Sequence, residues 1–155
     1  SMLSKDVGLK IEVISAEVVE ADATLANALS IEVGVALYKY TRLFRIKGHA
    51  TFIEVEYTIV DLFPGLLEHD LRQSTTLLIE KHYDTFAQTG NIVIRMRALR
   101  ADEAELLGLA TYHAGVELEQ IICDENGRPF CFGRQIWRGE LAEFSAQAVV
   151  RETPK

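Results

Sequence analysis

The chain has 155 residues, 48% of them hydrophobic, with a formal net charge of −7 and a pI near 5.1. That is enough for one domain with a sizeable core. The acidic balance argues against this chain gripping nucleic acid alone, which needs clustered Lys and Arg, and no apolar run approaches the roughly 18 residues of a membrane helix.

Residues 3–9 form a short lead-in. Residues 10–20 carry Ile11, Val13, Ile14, Val18 and Val19 and predict a strand. Asp22 is placed to cap a short helix with an apolar face of Leu25, Ala28 and Leu29, and residues 31–34 turn the chain. Residues 35–47 alternate over a long run, Gly48-His49 breaks it, and residues 51–60 alternate again, predicting an antiparallel hairpin. Residues 61–66 (Asp-Leu-Phe-Pro-Gly-Leu) make a loop leading to a short helical turn. Ser74 heads a second helix through Leu77, Leu78, Lys81 and His82, stopped by Thr89-Gly90-Asn91. Residues 92–99 predict a strand, Asp102 a cap for a third helix through Leu109, and Gly115 a turn. Residues 116–123 and 130–137 predict a second hairpin around Asn126-Gly127. Two hairpins and two strands suit one mainly antiparallel, six-stranded sheet with the helices covering one face, an α+β fold.

The two halves echo each other. Ala21-Asp22 precedes Gly34-Val35-Ala36-Leu37 much as Ala101-Asp102 precedes Gly115-Val116-Glu117-Leu118, at spacings of 80 and 81 residues, and Phe63 answers Phe144. The period exceeds the roughly 20–50 residues of stacked solenoid units and implies one domain with a two-fold pseudo-repeat. A seam between like halves is a natural place for a small-molecule cleft.

Motifs for common catalytic chemistry are missing. The four histidines lack helical metal-site spacing, Cys123 and Cys131 lack C-x-x-C spacing, and there is neither a G-x-S-x-G elbow nor a phosphate loop. No cofactor or metal is implied, and the cysteine content suits a reduced cytoplasmic setting. Glu54 and Glu56 share one parity of a strand, which fits either a carboxylate pair or a water-facing edge. Cys131 reads as a nucleophile or as a small buried residue. Arg95, Arg97 and Arg100 read as strand alternation or as a basic patch.

Three segments stand out: Arg42-Leu43-Phe44 with Ile53-Glu54-x-x-Tyr57 and Leu62-Phe63-Pro64-Gly65-Leu66; Ser74-Thr75-Thr76-Leu77 with Tyr83; and Gly127-Arg128-Pro129-Phe130-Cys131 with Trp137-Arg138-Gly139-Glu140 and Phe144. Together they resemble the UTRA effector-binding domain, the C-terminal sensor of HutC-like regulators in the GntR family. The resemblance spans almost the whole chain. It implies a chorismate lyase-like fold, a homodimer, a small-molecule effector, and operator DNA reached through an N-terminal winged-helix domain that residues 1–155 do not include. The chain would then be the excised C-terminal half of a regulator or a free-standing sensor.

The resemblance also implies contacts. Arg42 matches the family's first hairpin arginine and Ser74 its helix-leading serine. Phe44 stands where a second arginine is usual, Cys131 where an acid is, and Trp137 where a tyrosine is. The candidate effector contacts are thus Arg42, Phe44, Glu54, Phe63, Ser74, Cys131 and Trp137. Losing an arginine and an acid, while Phe44, Trp137 and Phe63 offer flat apolar contact, points to an effector with an anionic end for Arg42 and Ser74 and a less polar body than a sugar phosphate. Arg42 could instead face Glu54 as a structural ion pair. A chorismate lyase-like enzyme and a ligand-free dimerisation module are the alternatives.

Overall fold

Both parities of the first predicted hairpin are apolar, so a sheet built on it needs cover on both faces. The computed structural model, which describes residues 8–143 and Ser145, supplies that cover. The elements are β1 (Leu9–Glu20), α1 (Ala23–Leu29), β2 (Ala36–Ile46), β3 (His49–Ile59), α2 (Thr75–Tyr83), β4 (Thr89–Ala98), α3 (Ala101–Leu107), β5 (Ala114–Cys123) and β6 (Pro129–Arg138). The strands form one six-stranded sheet in the order β1-β2-β3-β6-β5-β4. Every neighbouring pair is antiparallel.

The expectation of helices on one face is corrected. Leu37, Leu43, Ile53 and Ile59 point to the side that carries α1 and α3, where Leu25, Leu29, Leu99 and Leu107 pack on them. Tyr38 and Tyr40, on the other parity of β2, pack against Leu78 and Ile79 of α2 on the opposite side. The segment holding α2 lies between the two halves in the chain and has no counterpart in the second among the described residues.

The pseudo-repeat holds, with its axis between the central strands β3 and β6. Its register differs from the expected one. The backbone pairs Ala21 with Val35 and Leu99 with His113 in the same way. The helix ends Ser30 and Gly108 are both left-handed, and so are Gly34 and Tyr112. Each of these equivalences spans 78 positions, so Gly115 is not the partner of Gly34. It lies inside β5, where an added Cβ would sit 2.6 Å from Leu99 Cδ2. Tyr112 fills the left-handed slot without glycine, which hides the true register from a search for matching glycines. Phe144, used in both the repeat and the resemblance, lies outside the described residues.

Asp22 caps α1, its carboxylate accepting the Leu25 N–H at 2.8 Å. Asp102 does not cap α3, because the helix begins at Ala101. There the Glu103 carboxylate accepts the Arg100 N–H at 2.9 Å. Ser74 occupies the cap position of α2 without a side-chain cap bond. Helix α2 ends at left-handed Asp84, and Thr89-Gly90-Asn91 belongs to β4. Lys47 and Gly48 (φ 51° and 80°) make the tight turn of the first hairpin.

Candidate functional site

Register across the seam builds the site. On the α2 side of the sheet, Phe44 of β2 lies opposite Phe52 of β3, which lies opposite Trp137 of β6. The three rings stack, with centroids 4.3 Å and 4.1 Å apart. The next row is Arg42, Glu54 and Gln135, and the next is Tyr40, Glu56 and Gly133. Gly133 contributes no side chain, which leaves space above Glu56. A cavity of about 670 Å³ opens over these rows, a volume suited to a small metabolite. Arg72, Ser74, Thr75 and Thr76 at the entry to α2 form one wall, and Leu118, Gln120 and Ile122 of β5 form another.

The cavity floor is a closed polar network. Arg42, only 3% exposed, donates through Nη2 to both Glu54 and Glu56. Its Nη1 donates to the carbonyls of Leu71 (3.0 Å) and Gln73 (2.7 Å). Gln135 donates its amide N–H to Glu54 at 2.9 Å and accepts the Trp137 indole N–H at 3.1 Å. Behind Glu56, the Cys131 thiol donates to its second oxygen at 3.2 Å. Burial, reinforced by the neighbouring charge of Glu54, pushes the Glu56 carboxyl up to about 8. Burial acts on Glu54 too, but hydrogen bonds from Glu56 and Gln135 and the charge of Arg42 outweigh it and hold Glu54 below the usual carboxylate range. Burial, with Glu56 beside it, drives the Cys131 thiol well above its ordinary value. A thiol held protonated is a poor nucleophile.

Five of the seven expected contacts line the cavity: Arg42, Phe44, Glu54, Ser74 and Trp137. Two do not. Phe63 is 1% exposed and packs edge-on to Tyr83 and Phe130. Cys131 is fully buried behind Glu56 and serves as a small core residue that also donates a hydrogen bond. Glu54 and Glu56 form a buried pair, not a water-facing edge. Phe52, Gln135 and Thr75 were missed, although Gln135 shares the strand parity of Trp137. Arg95, Arg97 and Arg100 form no free basic patch, since Glu117, Glu119 and Glu103 pair with them. Among the described residues no cluster of three or more His, Cys, Asp or Glu could hold a metal. No helix there is long and apolar enough to cross a membrane.

A family model described as the UTRA domain matches residues 5–143. Solved structures share the fold. The effector domain of PhnF from Mycobacterium smegmatis superposes with a TM-score of 0.86 at 23% identity, over 94% of this chain and 91% of that one. A GntR-family transcriptional regulator from Bacillus cereus gives 0.83 at 23% identity, over 91% and 99%. A longer PhnF structure gives 0.85 at 21% identity and is matched over 66% of its own length.

Proposed function

We propose a function from one premise: the chain belongs to the UTRA domain family. It senses a small molecule and converts binding into a change in operator affinity, as the effector domain of a cytoplasmic, HutC-like regulator of the GntR type. The observation that carries this reading is the cavity across the β3–β6 seam, with a three-ring stack on one side and a buried ionic floor on the other. The match over 66% of the longer PhnF structure supports an intact regulator with a further DNA-binding part. The apolar side chains that edge strand β4 exposes, Ile92, Ile94 and Met96, support a homodimer.

The effector's body lies on the rings of Phe44, Phe52 and Trp137. Its polar end reaches the floor and Ser74. The anionic end expected for Arg42 loses its partner there, because the Nη donors of that arginine are spent on Glu54, Glu56 and two backbone carbonyls. The same bookkeeping weighs against a chorismate lyase-like enzyme, which needs free guanidinium groups for two carboxylates. Fold likeness is weak warrant for chemistry. Only a ligand that binds the two arrangements of the dimer unequally can switch it, and a coupling of about 1–3 kcal/mol alters operator affinity roughly 5- to 150-fold.

A thermal-shift screen of metabolites, followed by gel shifts of the intact regulator with each stabilising compound, tests the reading. At least one compound should raise the melting temperature and change operator retention. A screen with no stabilising compound would leave a ligand-free dimerisation module. Loss of chorismate absorbance on adding the chain would restore the enzyme.

A further inference from the structure

The floor of the cavity has an excess of acid. Two carboxylates, Glu54 and Glu56, converge on the single guanidinium of Arg42. That guanidinium is turned into the protein. Its Nε is the one donor without a partner, and it is buried beyond the reach of solvent. Glu54 is the more open of the two acids, with 15% of its side chain exposed against 7% for Glu56. Glu54 holds donors from Arg42, Gln135 and Glu56, and the place taken by the Glu56 proton opens to a ligand N–H once that proton leaves. The other cation at the wall, Arg72, is clamped by Asp70 at 2.9 Å. Glu143, also on the lining, adds acid. The amino end of α2 favours an anion, but its partial charge is small beside the full charge of the Glu54 carboxylate.

Resting on the sensing reading above, we propose that the effector carries a positive charge, an ammonium or a protonated ring nitrogen, that settles against Glu54 and Glu56 while its apolar body lies on the Phe44–Phe52–Trp137 stack. The rings turn their faces to one another, so the stack offers the ligand an apolar body contact and the charge assignment rests on the acids alone. Glu56, held near 8 by burial and by Glu54, gives its proton to solvent as the cation arrives. The pair of acids then balances two positive charges, those of Arg42 and the ligand. The inference reverses the sign of the polar end expected from Arg42 and Ser74.

Three probes with one ring and different charge test it: 2-phenylethylammonium, 2-phenylethanol and 3-phenylpropionate. The chain has a single tryptophan, Trp137, and it lines the cavity, so its fluorescence reports occupancy. The ammonium should bind at least about tenfold more tightly than the propionate, a difference of about 1.4 kcal/mol, with the alcohol between them. Glu54→Gln should bring the two charged probes to within about twofold of each other. Added salt should weaken the ammonium and leave the alcohol unchanged, which tests the charge even if the variant does not fold. Propionate binding as tightly as the ammonium would overturn the proposal. So would no binding by any of the three, and the metabolite screen then separates the two failures: only anionic hits sink the charge assignment alone, and no hits at all sink the sensing role with it.

Discussion

Arg42 donates to the carbonyl of Gln73 at 2.7 Å, tying the middle of the sheet to the entry of α2. The same side chain neutralises part of the Glu54–Glu56 charge, so it is both a strut and a counter-ion.

Arg42→Met removes both roles. The Glu54 carboxylate and the Glu56 carboxyl lose their partner, a change that costs about 3–5 kcal/mol when one member of a buried pair is deleted. Urea denaturation should register this loss, and Glu54→Gln with Glu56→Gln in the same chain should recover most of it. A loss below about 1 kcal/mol would show that the floor is not interlocked.

Glu56 sets a pH dependence. Its folded value, about 8, lies above the ordinary 4.5. Its contribution to stability is therefore complete below about 4.5, declines as pH rises, and is gone above about 8. Melting temperatures measured from pH 5 upward should fall toward pH 9. Glu56→Gln should flatten that fall, and an unchanged slope in the variant would assign it to another group.

Phe52 is the middle ring of the stack and is 4% exposed. Phe52→Ala should cost about 3–5 kcal/mol by denaturation. It should also shift the Trp137 emission to the red, because the indole loses the ring that covers one of its faces. An unshifted spectrum would contradict the stacked geometry.

Two glycines make a contrast. A Cβ at Gly133 meets only Glu56 Cγ, at an ordinary 3.7 Å, whereas one at Gly115 meets Leu99 Cδ2 at 2.6 Å. Gly133→Ala should leave the melting temperature nearly unchanged and weaken ligands of the cavity. Gly115→Ala should lower stability by about 1–3 kcal/mol and, being outside the cavity lining, leave affinity intact in the folded fraction. Thermal melts and fluorescence titrations of both variants check the pair.

Met96 is 80% exposed on β4, with Ile92 and Ile94 on the same side of the strand. Ile94→Glu with Met96→Glu should leave the fold intact by circular dichroism and halve the mass found by light scattering. A dimer mass in both proteins would move the interface elsewhere, and a monomer mass in the unmodified chain would remove the proposed dimer.

The strands were legible because β-branched alternation along them is a local property, and α1 could be placed because Asp22 stands beside its own apolar stripe. The side of the sheet that α2 covers was not legible. Its Leu78 and Ile79 needed Tyr38 and Tyr40 as partners, and nothing near Ser74 in the chain says which parity of β2 faces it. The repeat is legible as an echo but its register is not, because a left-handed turn that glycine marks in the first half is adopted by Tyr112 in the second. Phe63 and Cys131 drew attention as a ring and a thiol of the right type, and burial removed both from the cavity.

By itself, the order of residues determined that there would be two hairpins, and that Arg42, Glu54 and Trp137 would each stand on an alternating strand. Only the tertiary structure decided that they meet. Glu54 and Gln135 are 81 positions apart, and the β3–β6 register that pairs them joins the two halves of the chain. The charge of the site is set nearer in sequence, where the β2–β3 register brings Arg42 to Glu54 and Glu56; the β3–β6 register adds Gln135 and Trp137, and pairing at that separation leaves no trace in local pattern.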